Sequence, residues 1–157
     1  IKYGVDLFHL EAEVESKGKK LTKPISYNED EISKNIIVMD GLLNEGIKCT
    51  ELRKIYEAIC ESPENGYKEL KTRKLLERII KAKKPSINAS EIVAPLYYLN
   101  DLRVCFAHLI PEMEVTKYQE KIVAAYNLKT FNETKKLYEK LMGDLYYLYQ
   151  YLSIEEI

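Results

Sequence analysis

Between Pro95 and Leu109 the chain carries a helical run whose apolar residues leave almost no side for water. At roughly 100° per residue, Leu99, Leu102, Phe106 and Leu109 fall on one stripe with Leu96 at its edge, the pattern of a core-facing side. The opposite side holds Asn100, Val104, Ala107 and His108, flanked by Asp101 and Arg103. That mixture is too apolar for a solvated face and polar only at selected points. A helix that is apolar nearly all round is buried on both sides. The chain must therefore build its fold around this segment, and a second subunit is expected to cover the far side through Val104 and Ala107.

The remaining signals are mostly helical. Asn28 with Glu31 three residues on offers an N-cap for a helix through about Leu43, stopped by Asn44-Glu45-Gly46. Thr50 can cap a helix from Glu51 to about Cys60, closed by Pro63 and Gly66, and a third helix is expected from Tyr67 to Lys83. A short turn over Ser90 to Ala94 then precedes a helix opening at Pro95, where proline is tolerated in a first position. Thr116 with Gln119 and Thr130 with Glu133 are capping-box matches for two more helices. In the last, Leu137, Leu141, Leu145, Leu148 and Leu152 form a bundle-facing stripe. The beginning differs. Phe8, Leu10, Ala12 and Val14 alternate with His9, Glu11 and Glu13 at strand period, and after a polar turn at Ser16 to Lys20 the residues from Leu21 to Ile25 suit a return strand. The expected architecture is an all-α multi-helix bundle over residues 28–157 with a short β-like hairpin extension over residues 1–27.

A chain of 157 residues, 46% hydrophobic and 31% charged, can bury a substantial core of its own. It begins at Ile1, and an upstream domain, such as a sensor, is expected in the same polypeptide. No stretch suits a membrane span or a signal peptide, so the expected location is the cytoplasm. Cys49, Cys60 and Cys105 are scattered without a Cys-x-x-Cys pair, which argues against a disulfide framework or a zinc site; Cys105 reads as a buried free thiol. Phosphate-loop, dinucleotide, metalloprotease and nucleophile-elbow motifs are absent from the sequence, and neither metal nor cofactor is expected.

Arg103 and His108 carry the clearest chemistry. Histidine exchanges protons near neutral pH and arginine grips phosphate bidentately, a pairing suited to metal-free RNA cleavage. They stand about 140° apart on an ideal helix, so they flank a groove rather than stack, and a twofold partner would complete it. The plainer reading of His108 is a helix-terminal dipole partner or a satisfied buried side chain.

The run Leu102-Arg103-Val104-Cys105-Phe106-Ala107-His108 resembles the signature of HEPN domains, in the form found in the ApeA-like branch of bacterial defence proteins. The resemblance implies a helical bundle that dimerises through its motif helices and forms a composite, metal-independent ribonuclease site. Arg103 and His108 would then be the catalytic pair, with Asn100 and Asp101 as polar support. The family places a polar residue after the arginine; Val104 stands there instead. That departure favours the alternative, a catalytically inactive HEPN-like module for dimerisation or partner binding.

Net charge is only −1, yet basic residues dominate the third helical segment. Lys71, Lys74, Arg78 and Lys81 share a stripe that could follow an RNA backbone, or could be a solvated face. The tyrosines around the last leucine stripe read mainly as core-margin packing or a subunit contact, and less readily as platforms for unpaired bases. A helix-turn-helix DNA reader ranks third, because it leaves Arg103 and His108 without a task.

Overall fold

A computed structural model describes Tyr3, Asp6, Leu7, residues 11–107 and residues 111–154, with only the backbone of residues 11–13. The described residues form seven α-helices: α1 (Glu11–Gly18), α2 (Glu29–Leu43), α3 (Cys49–Ile59), α4 (Thr72–Lys83), α5 (Ala89–Phe106), α6 (Glu112–Tyr126) and α7 (Thr134–Ile154). A 3-10 turn, Tyr67–Glu69, precedes α4. The all-α expectation holds.

Helix α5 is the axis. It packs against α2, α4, α6 and α7 of the same chain, and α3 closes against α4. Val93, Leu96, Leu99 and Leu102 are fully buried on it, and Ile32, Ile36, Leu75, Ile79, Leu141 and Leu148 from the neighbours complete one core. The two-sided apolarity of this segment is thus answered largely within the chain, and coverage by a second subunit is not needed to explain it. Val104 and Ala107 remain half-buried.

Several local expectations change. Residues 11–18 are helical, not strand, and residues 21–25 form no strand. Phe8, His9 and Leu10 lie outside the described residues. A strand needs a ladder partner, and the candidate return segment contains Pro24, which lacks a backbone N–H. The backbone of Thr22 is instead satisfied by one side chain: the Asn35 amide accepts from its N–H at 3.2 Å and donates to its carbonyl at 2.6 Å. The Glu15–Lys19 pair, 2.7 Å apart at i,i+4 spacing, favours the helical winding of α1.

Asn28 caps α2 as expected, accepting from Glu31 N–H at 2.9 Å. The Glu31 carboxylate does not return the bond to Asn28; it gathers the N–H groups of Ile25, Ser26 and Tyr27 and the Ser26 hydroxyl. Helix α5 runs without a break from Ala89, with Pro95 inside it. Only one ladder bond is lost there, and the carbonyl that proline frees belongs to exposed Glu91. Thr116 lies inside α6 and donates to the Glu112 carbonyl at 3.2 Å, so it caps nothing. Helix α7 starts at Thr134, beyond the Thr130–Glu133 match, with Leu137 N–H bonded to the Glu133 carbonyl at 2.9 Å. The expected third helix splits into the 3-10 turn and α4 around Leu70 and Lys71, and α3 begins at Cys49, ahead of Thr50.

Because Leu99 is fully buried at the centre of α5, Leu99→Ala should lower unfolding stability by about 2–5 kcal/mol. Urea denaturation followed by circular dichroism checks this; a loss under about 1 kcal/mol would mean that α5 is not the core axis.

Candidate functional site

The polar residues of α5 are sorted to different neighbours. Asp101 is buried and pairs with Lys121 of α6 at 2.6 Å. It therefore fastens α6 to α5 and does not support Arg103. Asn100 points the other way, into a cleft of about 460 Å³ that it lines together with Asp40, Asn44, Glu45, Thr72 and Arg73.

Arg103 reaches toward the same residues. Its Nε stands 3.5 Å from Asp40 Oδ2 and its second contact, through Nη1, is Glu45 Oε1 at 3.0 Å. Asp40 is almost wholly buried on α2, its Oδ1 accepting from Asn44 Nδ2 at 2.6 Å, while the same amide donates to the Leu96 carbonyl at 3.0 Å. Burial pushes the Asp40 carboxyl above the ordinary carboxylate value; the Asn44 hydrogen bond and the charges of Arg103 and Arg73 pull it back, and Glu45 adds to the rise. An isolated buried carboxylate is costly, so the arginine is part of what lets Asp40 remain there.

Gly46 makes the turn after α2 feasible. A Cβ on it would meet the Leu42 carbonyl oxygen at 2.4 Å, so only glycine lets the backbone fold back tightly enough to bring Glu45 to Arg103. The Glu45 N–H also bonds to the Asp40 carbonyl at 3.1 Å.

His108, the other half of the expected pair, lies outside the described residues. Val104 and Ala107 are half-buried near the end of α5, next to Arg103 in the chain. Of the expected basic stripe, Lys74 pairs with Glu77 at 2.8 Å and Arg78 with Glu64 at 2.6 Å, whereas Lys71 and Lys81 are exposed. Lys71 is the residue before α4, where it lines the cleft, so the four do not form one continuous unpaired stripe. The tyrosines divide as well: Tyr138 is buried and accepts from Asn35 at 3.2 Å, while Tyr146 and Tyr147 are exposed. Cys105 is buried, and desolvation together with the Asp101 charge pushes its thiol up to about 11, which leaves it an inert core residue at neutral pH. No group of His, Cys, Asp or Glu among the described residues could hold a metal ion, and no described helix is long and apolar enough to cross a membrane.

Asp40, Asn44, Glu45 and Arg73 are the cleft residues that sequence reasoning missed. Asp40 follows buried Ile36 at i,i+4 spacing on α2, and Asn44, four residues further on, is the C-cap of that helix. No family model, curated protein or solved structure matches this chain.

Arg103→Ala should destabilise the fold by about 2 kcal/mol at neutral pH, because it strands a buried carboxylate whose partner was itself partly exposed. Without the arginine the folded Asp40 carboxyl rises further. The deficit is then full above that further-raised value, fades as pH falls from it towards the folded value of the unaltered chain, itself above the ordinary carboxylate value, and is gone below that, where Asp40 is neutral in both folded proteins. Denaturation midpoints across pH 3–8, chosen to span that range, check the sign; a pH-independent deficit would exclude Asp40 as the cause.

Proposed function

We propose that this chain is a metal-independent endoribonuclease module, resembling HEPN domains, that works as a homodimer with a composite active site in an intracellular defence or toxin-like system. The observation that carries the reading is the setting of Arg103. Its side chain, a third exposed, is held by Asp40 and Glu45, two residues of the cleft that Lys71, Arg73 and Asn100 line. Arginine fixed from behind by buried carboxylate keeps donors for a phosphate in front. His108 would take the proton from a ribose 2′-hydroxyl or protonate the leaving 5′-oxygen, and Arg103 would stabilise the charge that develops on the phosphorus oxygens. Asn100, which lines the cleft with Asp40 and Glu45, would supply the polar support, while Asp101 is paired with Lys121.

The second reading is a dimerisation or partner-binding module without catalysis. It is favoured by the two carboxylates already engaging Arg103 and by Val104 in the position after it. In either reading Val104 and Ala107 supply the apolar strip between protomers.

Single-stranded RNA incubated with the protein and excess chelator should be cut to products ending in 2′,3′-cyclic phosphate. His108→Ala should abolish cleavage with the fold intact, and Arg103→Ala, corrected for its folded fraction, should slow it by about a hundredfold. Cleavage at full rate by His108→Ala, or none by the unaltered chain, would overturn the nuclease reading. In the second case a dimer by light scattering that Ala107→Glu splits would favour the binding module.

A further inference from the structure

The connection between α1 and α2, residues 19–28, is fastened to the bundle along its length. Thr22 exchanges both backbone bonds with Asn35, and Pro24 is buried. The Glu31 carboxylate accepts from the N–H groups of Ile25, Ser26 and Tyr27 at 3.1, 3.0 and 3.0 Å. From α7, the Thr134 hydroxyl donates to the Tyr27 carbonyl at 2.6 Å. Tyr27 itself sits at φ 55°, a left-handed conformation that a bulky side chain adopts only under constraint. Strain held in place by this many bonds points to a segment whose shape is put to use.

That shape keeps aliphatic side chains away from the core. Ile25 is 90% exposed, more than any other large apolar residue among those described, and Leu21 is exposed as well. With its own N–H bound and Pro24 in the inward position, Ile25 stands out as a protrusion and lines no groove. Lysines accompany it: Lys17, Lys19, Lys20 and Lys23. Lys17, Lys20 and Lys23 make no ion pair among the described residues, and Lys19 meets only exposed Glu15. The acidic start of α2 offsets this charge little. Asp30 pairs with Lys34 at 2.6 Å, Glu31 is turned to the loop N–H groups, and Glu29 lines a separate cavity beside Phe106 and Phe131.

We propose that this loop docks the protein on an anionic lipid surface. Ile25, with Leu21, enters the boundary between headgroups and acyl chains, and Lys20 and Lys23 lie among the lipid phosphates. Lysine suits that boundary, because its stem is apolar and only its tip is charged. Segments that lie on membranes bind through this combination of buried apolar area and attraction to anionic lipid. A nucleic acid fits less well, since phosphate contacts would use the lysines and leave the aliphatic side chains in water. A protein partner would need a pocket matched to Ile25, whereas a bilayer accepts any convex apolar tip. The contact is with the surface alone, for no described helix is long and apolar enough to cross a membrane. It uses neither Arg103 nor His108 and stands or falls separately from the ribonuclease reading.

The test is co-sedimentation of the full chain with vesicles of phosphatidylcholine alone and of phosphatidylcholine in which about one lipid in four is phosphatidylserine. The mixed vesicles should bind the protein and the neutral ones should not. Lys20→Gln combined with Lys23→Gln should weaken binding about thirtyfold, the scale of two lysines near an anionic surface. Ile25→Ser should weaken it about tenfold and leave its salt dependence unchanged. All three side chains are exposed, so circular dichroism should show the fold intact in each variant. The chain contains no tryptophan, so Ile25→Trp adds a single reporter, whose fluorescence should move to the blue with the mixed vesicles alone. Equal binding to both kinds of vesicle, undiminished binding by Ile25→Ser, an unshifted Ile25→Trp emission, or capture of a single-stranded oligonucleotide without binding to vesicles would each overturn the proposal.

Discussion

Burial of α5 on nearly every side is the constraint from which the rest of the fold follows. Four helices of the same chain surround it, so each polar group on it must find a partner or be left desolvated. The partners come from different helices. Asp101 takes Lys121 from α6, Arg103 takes Asp40 from α2, and the Leu96 carbonyl accepts a second bond from Asn44. Leucine contacts alone would tolerate several registers of packing. The polar pairs do not, because a one-turn slip of α2 or α6 would separate buried charges from their partners. Hydrophobic area drives the assembly, and these few ionic and amide contacts fix the geometry of the cleft.

How much of this was legible follows from the range of each signal. The 3.6-residue pattern of α5 and α7 and the Asn28 cap are local, and the structure realises them. The N-terminal alternation was local too, but a strand exists only with a ladder partner, and Thr22 spends its backbone bonds on Asn35 of α2. Pro95 looked like a first helical position because helices tolerate proline best there; in the folded chain its ring is buried among its neighbours, and packing outweighs one missing bond. Arg103 stood out as a chemical type. Asp40 and Asn44 lie far in sequence from Arg73, and they line one cleft only because α2, α4 and α5 pack together.

The cleft is a consequence of helix ends as much as of side chains. Helix α2 stops in a turn that only Gly46 allows, so Glu45 folds toward Arg103 and the chain re-enters at once as α3. The α3 start then meets the α4 start at Cys49 and Thr72. Negative side chains from α2 and its turn face positive helix ends and basic residues across the cavity, an arrangement that partly compensates the two dipoles without capping either.

On the ribonuclease reading proposed above, that division of charge bears on how Arg103 would act on a phosphate. Its two carboxylate partners are not equivalent: Glu45 is half exposed, while the Asp40 side chain is 1% exposed. A half-exposed pair contributes at most about 1 kcal/mol, so an incoming phosphate could displace Glu45 at small cost. The Asp40 contact is dearer to break, because losing it leaves a buried charge. Exchange at Glu45 with retention at Asp40 would keep the guanidinium oriented while freeing its Nη1 edge. The same carboxylate that makes Arg103 important to folding would then hold it in place for catalysis, which is why stability and activity have to be measured separately in every variant of this arginine.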